Sequence, residues 1–229
     1  MRCNVRSNIE MESRIEIATK DHAPLRGDWR SLLEQLGLAP APGDLNLLAD
    51  WLEVKPPANV AGLRRFLAAY RDGQLLPREL PVIRDAFRHA SRGETRELIA
   101  LDSAPGTAPS AASFTRASHR VGREQLRRLR PLRDFRVAQR YLSAVESGEA
   151  HGWHTLAYGV TLAAYAVPLR QGLLHYARAT LRSFAESGAR ALTLTEAELE
   201  SLLEAGFQPV GAAVDALIGD LGRMLDGDS

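Results

Sequence analysis

Apolar side chains recur at intervals of three and four along most of the chain, and the pattern breaks at glycine, proline or a capping residue. That period places apolar residues on one face of an α-helix. The spacing predicts helices over 29–36, between Asp28 and Gly37, over 45–54, ahead of Pro56 and Pro57, and over 60–70, behind Asn59. It predicts another over 79–91, where Leu80, Ile83 and Phe87 recur and Gly93 follows, and a shorter one over 95–101. The stretch SAPGTAPSAA at 103–112 has the composition of a flexible loop. Ser113 is the expected cap of a helix to about 130, ended by Pro131; Asp134 then opens 135–146, closed by Gly148. Helices over 153–166 and 168–189 follow, the second with Pro168 in its first position, where a missing N–H costs nothing. Thr195 and Glu198 have the spacing of a capping box ahead of 196–204, and a last helix runs from Pro209 to about 225. No run alternates with period two between turn signals. The expected fold class is therefore all-α, a single bundle of about ten helices, with 1–26 as a loose tail and 27–229 as one domain.

One stretch departs from the amphipathic pattern. Residues 152–169 contain no Asp, Glu, Lys or Arg. The length would span a membrane, but glycine, alanine, threonine, tyrosine and His154 dominate it, and Pro168 sits near its end. A helix apolar on all sides is otherwise a buried one, so 153–166 is expected to be the central helix of the bundle, with Trp153 as a core anchor. Gly152 and Gly159 are expected where neighbours come close. His151 and His154 are three apart, the spacing of two ligands on one helical face. Gly152 places His151 outside the helix, however, and a metal site needs further ligands, so no metal and no cofactor is expected.

Composition narrows the function classes. The 229 residues are 45% hydrophobic and 25% charged, with a net charge of +1, so the chain as a whole is neither polycationic nor acidic. Cys3 stands alone, which rules out an internal disulfide framework or a cysteine zinc site. No GxxxxGK[ST] phosphate loop, no GxGxxG after a strand and no HExxH is present. The expectation is a binding protein rather than an enzyme.

Charge is distributed in blocks. Nine arginines lie between Arg116 and Arg140 against Glu124 and Asp134. On the helix at 113–130 one face carries Arg116, Arg120, Arg123, Arg127 and Arg130, and the other carries Phe114, Ala117, Val121, Gly122, Gln125 and Leu129. Glycine inside a helix costs about 1 kcal/mol against alanine, so a close helix approach is expected at Gly122. From Leu194 onward acidic residues prevail, from Glu196 to Asp228, with Arg223 the one cation. Such blocks suit charged protein partners. A nucleic-acid-binding helical protein and a helical-bundle enzyme with an unrecognised site are the alternatives.

Taken in order, these pieces resemble a known family. SFTRASHRVGREQLRRL carries arginine, serine, Gly-Arg and leucines at Arg116, Ser118, Gly122, Arg123 and Leu126. About thirty residues on, EAHGWHTLAYGVTLAAYAVPLRQGLLHYARATLRSFAESGAR places Gly152, His154, Gly159, Pro168 and Arg190 in a Gly-x-His, apolar, Leu-Pro and long-helix pattern. Over roughly 75–205 the chain is similar to the urease accessory protein UreF family, with the family's N-terminal signature replaced by LLEQLGLAPAPGDLNLLADWLE. The resemblance implies an all-α, dimeric, cytoplasmic adaptor. It would bind a UreD (UreH) accessory protein, recruit the nickel-carrying GTPase UreG and help load nickel into apo-urease, with no role for nucleic acid or membrane. On this reading Arg116, Arg123, His154 and Arg190 face a partner or a second copy.

Overall fold

The computed structural model describes Leu45, Ala49, residues 52–107 and residues 112–226. The tail at 1–26 and the helix at 29–36 lie outside these residues, as does half of 45–54. The described residues are mostly helical and contain no strand, as the all-α class requires. The helices are α1 (Val60–Tyr70), α2 (Leu80–Arg92), α3 (Thr95–Ser103), α4 (Ala112–Arg128), α5 (Arg136–Ser147), α6 (His154–Ala164), α7 (Leu169–Leu192), α8 (Glu196–Phe207) and α9 (Val210–Asp226). The expected count of about ten separate helices is not matched. Helices α1 and α2 do not separate at Gly73, because a π-helical segment, Arg71–Glu79, joins them into one continuous path.

Local chemistry explains most of the ends. Asn59 is extended and its side chain accepts from the Gly62 N–H at 2.8 Å, which opens α1. Gly93 and Gly148 take the left-handed conformation just past α2 and α5, with φ of 75° and 83°. The Thr195 and Glu198 capping box forms, with the Thr195 N–H donating to Glu198 at 2.9 Å. Three expected starts differ. Ala112 already belongs to α4, so Ser113 is inside the helix. Phe135 rather than Asp134 stands at the N-cap of α5. Pro168 is the N-cap of α7 rather than its first helical residue, held at ψ 128° outside the α region.

The π-helical segment was not legible as such. Pro77 lies inside it, and proline removes a backbone donor and crowds the carbonyl four residues back. The wider π turn, with bonds from i to i+5, relieves that crowding. A π-helix has about 4.4 residues per turn and an α-helix 3.6. Tyr70 and Glu79, nine apart, are therefore two turns apart and on one face in π register, whereas in α register they would be two and a half turns apart on opposite faces. The Tyr70 hydroxyl donates to Glu79 Oε1 at 2.5 Å, a contact available to the π path alone.

Helix α6 occupies the centre. Every residue from His154 to Leu162 is buried, and the helix packs most extensively against α2 and then α4. Full burial of Leu156, Val160 and Leu162 contributes roughly 2 kcal/mol each. The burial expected through 166 ends earlier: Ala163 and Ala164 are half-buried and Tyr165 is 40% exposed. The chain turns out of the core there through Ala166 at φ 52°, because Pro168 keeps the residue before it from continuing the helix. Helix α7 lies against α1, α2, α8 and α9, and its glycines receive leucines: a Cβ at Gly188 would meet Leu63, and one at Gly172 would meet Leu162. Phe66, Tyr70 and Phe184 form an aromatic group between α1 and α7.

Candidate functional site

The sequence His151-Gly-Trp-His154 sits where α3, α4, α5 and α6 converge. Gly152 has φ 73°, a left-handed conformation, and faces Val145 of α5. Gly122 of α4 lies against the turn itself: a Cβ built there would fall on the Gly152 carbonyl oxygen and come within 2.8 Å of the Trp153 carbonyl carbon. Gly159 does the same one and a half turns into α6, where a Cβ would lie 2.6 Å from the Ile83 carbonyl oxygen of α2. Both helices thus cross α6 at backbone contact, which no larger residue permits.

Asp102, at the end of α3 and 1% exposed, holds the turn from the other side. Its carboxylate accepts from the backbone N–H groups of His151, of Gly152 at 3.0 Å and of Trp153 at 3.4 Å, and from the Tyr141 hydroxyl at 2.6 Å. Its backbone carbonyl accepts from the Trp153 indole at 2.9 Å. Four donors surround one buried carboxylate, which is how a desolvated anion is tolerated. Burial and the facing carboxylate push the Tyr141 pKa well above 10, so this hydroxyl remains a donor.

A second buried network runs from α4 to the π-helical segment. Its tautomer follows from counting protons. Tyr176 has one hydroxyl proton and gives it to Glu79 Oε2 at 2.9 Å, so at 2.8 Å from His154 Nε2 it can only accept. His154 therefore carries its proton on Nε2, and Nδ1 accepts from the Ser118 hydroxyl at 2.8 Å. The Ser118 oxygen in turn accepts from the His154 backbone N–H at 3.1 Å. Glu79 is half-buried as a residue but turns its carboxylate inward to Tyr176 and Tyr70. Burial raises its pKa above the usual 4.5, and the two tyrosine hydrogen bonds pull the other way.

His154 is buried, with both ring nitrogens occupied. Expected to face a partner, His154 instead lies inside the core network, linking Ser118 to Tyr176. Nor does it pair with His151, which is exposed, tilted against the Trp153 ring and edge-on to His119. Burial lowers the His154 pKa from 6.5 to about 3. Between those values the unfolded chain binds a proton that the fold does not, so the stability tied to the neutral ring is complete above pH 6.5 and drains as the pH falls toward 3. Glu79 acts with the opposite sign, its stability contribution declining as the pH rises through 4.5 and beyond. Replacing His154 by glutamine is expected to flatten the fall in melting temperature between pH 6.5 and 4. A calorimetric pH series with an unchanged slope would refute the assignment.

The arginine candidates lie outside. Arg116 and Arg123 are exposed on α4, on the side away from Gly122. Arg123 borders a groove of about 290 Å³ with Arg127, Leu142, Val145 and Glu146. Arg190 is exposed in the last turn of α7, beside a separate groove of about 470 Å³ lined also by Glu186, Thr193, Leu194 and Glu196. The predicted residues thus fall into an internal group and two external ones. Sequence reasoning missed Asp102, Glu79, Tyr70 and Tyr176. For Asp102 the signal was its place four residues after Leu98, on the face that carries a fully buried leucine.

Among the described residues no group of three or more His, Cys, Asp or Glu is gathered for a metal ion, and no helix is long and apolar enough to cross a membrane. The fold and its site define a helical scaffold, closed inside by two polar networks and presenting arginine outside. Residues 58–205 match the family model UreF. Over 147 residues the chain is 22% identical to the urease accessory protein UreF of Sporosarcina pasteurii, an alignment covering 64% of this chain and 73% of that protein. The chain belongs to the UreF family and is a urease accessory protein, not an enzyme.

Proposed function

We propose that this chain is an adaptor of urease maturation, binding a UreD (UreH) type protein and recruiting a nickel-carrying GTPase of the UreG type to apo-urease. The observation that carries the reading is the family match across 58–205, which takes in all the helices from α1 to α7 and most of α8. The surface supports it, because Arg116, Arg123 and Arg190 are exposed, the last two beside grooves, and are available to protein partners. In this reading the adaptor works as a cytoplasmic homodimer, and GTP hydrolysis belongs to its partner. The test is reconstitution of urease activation from apo-urease, nickel, GTP and the other accessory proteins, with and without this chain. Activation should depend on the chain, and a pull-down at physiological salt should retain both partners; equal activation in its absence would reject the adaptor role.

A further inference from the structure

The arginines of α4 form a ladder. Arg116, Arg120, Arg123 and Arg127 follow at steps of three or four, with Arg130 in the turn beyond, and all five are exposed. Side chains at such steps stand about 5–6 Å apart on one helical face. At the lower end the ladder already holds a carboxylate: Glu146 of α5 bonds Arg130 and lies 3.9 Å from Arg127. Among the described residues these two are its ion pairs, and Arg116, Arg120 and Arg123 above them repeat the same spacing without one. The groove between Arg123 and Arg127 is backed by the buried side chains of Leu142 and Val145.

We propose that Arg116, Arg120 and Arg123 dock an acidic α-helix of a different polypeptide, whose carboxylates at matching three- and four-residue steps continue the pairing begun by Glu146. This deepens the adaptor reading, on which it rests for the presence of a protein partner. The open stretch from Arg116 to Arg123 is about 10 Å long, two helical turns, which fits two or three carboxylates. A continuous phosphate backbone following the ladder would run onto Glu146, whereas a short acidic ladder ends before it. The acidic face of a second copy fits less well. On α8, Glu200 is held by Arg182 at 2.6 Å and Glu198 by the Thr195 cap, which breaks the row between Glu196 and Glu204.

The test uses the full chain and a labelled helical 20-residue peptide with glutamates at steps of three and four, followed by fluorescence anisotropy at low and physiological salt. The peptide should bind, and the triple variant Arg116→Ala, Arg120→Ala, Arg123→Ala should weaken binding about tenfold, the sum expected of three rim ion pairs. The exposed pair Arg136→Ala, Arg140→Ala should leave binding near the parental value. Equal binding by the triple variant, or by a peptide of the same composition with glutamates at steps of two, would overturn the proposal. Tighter binding of a 20-nucleotide DNA strand, lost in the triple variant, would assign the ladder to nucleic acid instead. A dimer in sedimentation that the triple variant abolishes would assign it to a second copy. Urease activation separates the two readings: peptide binding without activation rejects the adaptor role alone, and activation unchanged in the triple variant rejects the ladder alone.

Discussion

Replacing Gly122 by alanine is expected to destabilise the protein by about 3 kcal/mol, the upper range for an overpacked core. The change runs against propensity, since alanine in place of a mid-helix glycine ordinarily gains about 1 kcal/mol. The reversal comes from what the new methyl would meet. The Gly152 carbonyl oxygen, the Trp153 carbonyl carbon and the His154 nitrogen all crowd the site, and all are backbone atoms that cannot rotate aside. Relief requires α4 to withdraw from the start of α6, which would also stretch the Ser118 contacts to His154. Gly219 of α9 is the control: nothing lies within 4 Å of a Cβ built there, so alanine should stabilise. Urea unfolding midpoints decide, and a midpoint that rises in both variants would disprove the close crossing.

Replacing Asp102 by alanine should cost a further 3 kcal/mol or more. The substitution leaves the Tyr141 hydroxyl and the N–H groups of His151, Gly152 and Trp153 without their acceptor, and each of the three that are buried, Tyr141, Gly152 and Trp153, costs about 1–3 kcal/mol when unpaired. Removal of the charge itself offsets part of that loss, because burying a carboxylate is unfavourable. Asparagine, which keeps one acceptor oxygen, should fall between alanine and the parental chain. The local readout is hydrogen exchange: the three amides should lose protection in the alanine variant before the rest of the core does. Retained protection at all three would show that the turn is held by its packing alone.

Much of this architecture was legible in the pattern of apolar positions. Helix α6 was recognisable because charge is missing from it on every side, and Gly122 because a glycine on an apolar helical face needs a compensating approach. The ends of α1, α2, α5 and α8 were legible because Asn59, Gly93, Gly148 and Thr195 act through their own backbone neighbours. What was not legible depends on partners far along the chain. His154 was expected to face a partner through the family resemblance; its burial is decided by Ser118 and Tyr176, 36 and 22 residues away. Asp102 was not singled out in the sequence, because it becomes the anchor of the turn only through donors about fifty residues on. The arginine ladder was visible as a periodicity, but which of its rungs already hold a carboxylate depended on where α5 places Glu146.

The meeting of Tyr70 with Glu79 also fixes a tolerance for chain length. Two turns of ordinary α-helix take about seven residues, and here nine are used to cover the same two turns. The segment therefore holds two surplus residues, taken up by its wider turns without breaking the rod that joins α1 to α2. Gly73, exposed and with open space around it, lies where that slack is least hindered. A sister chain two residues shorter between the tyrosine and the glutamate would bring the same hydroxyl to the same carboxylate with no π turn at all, while one shorter by a single residue would satisfy neither register.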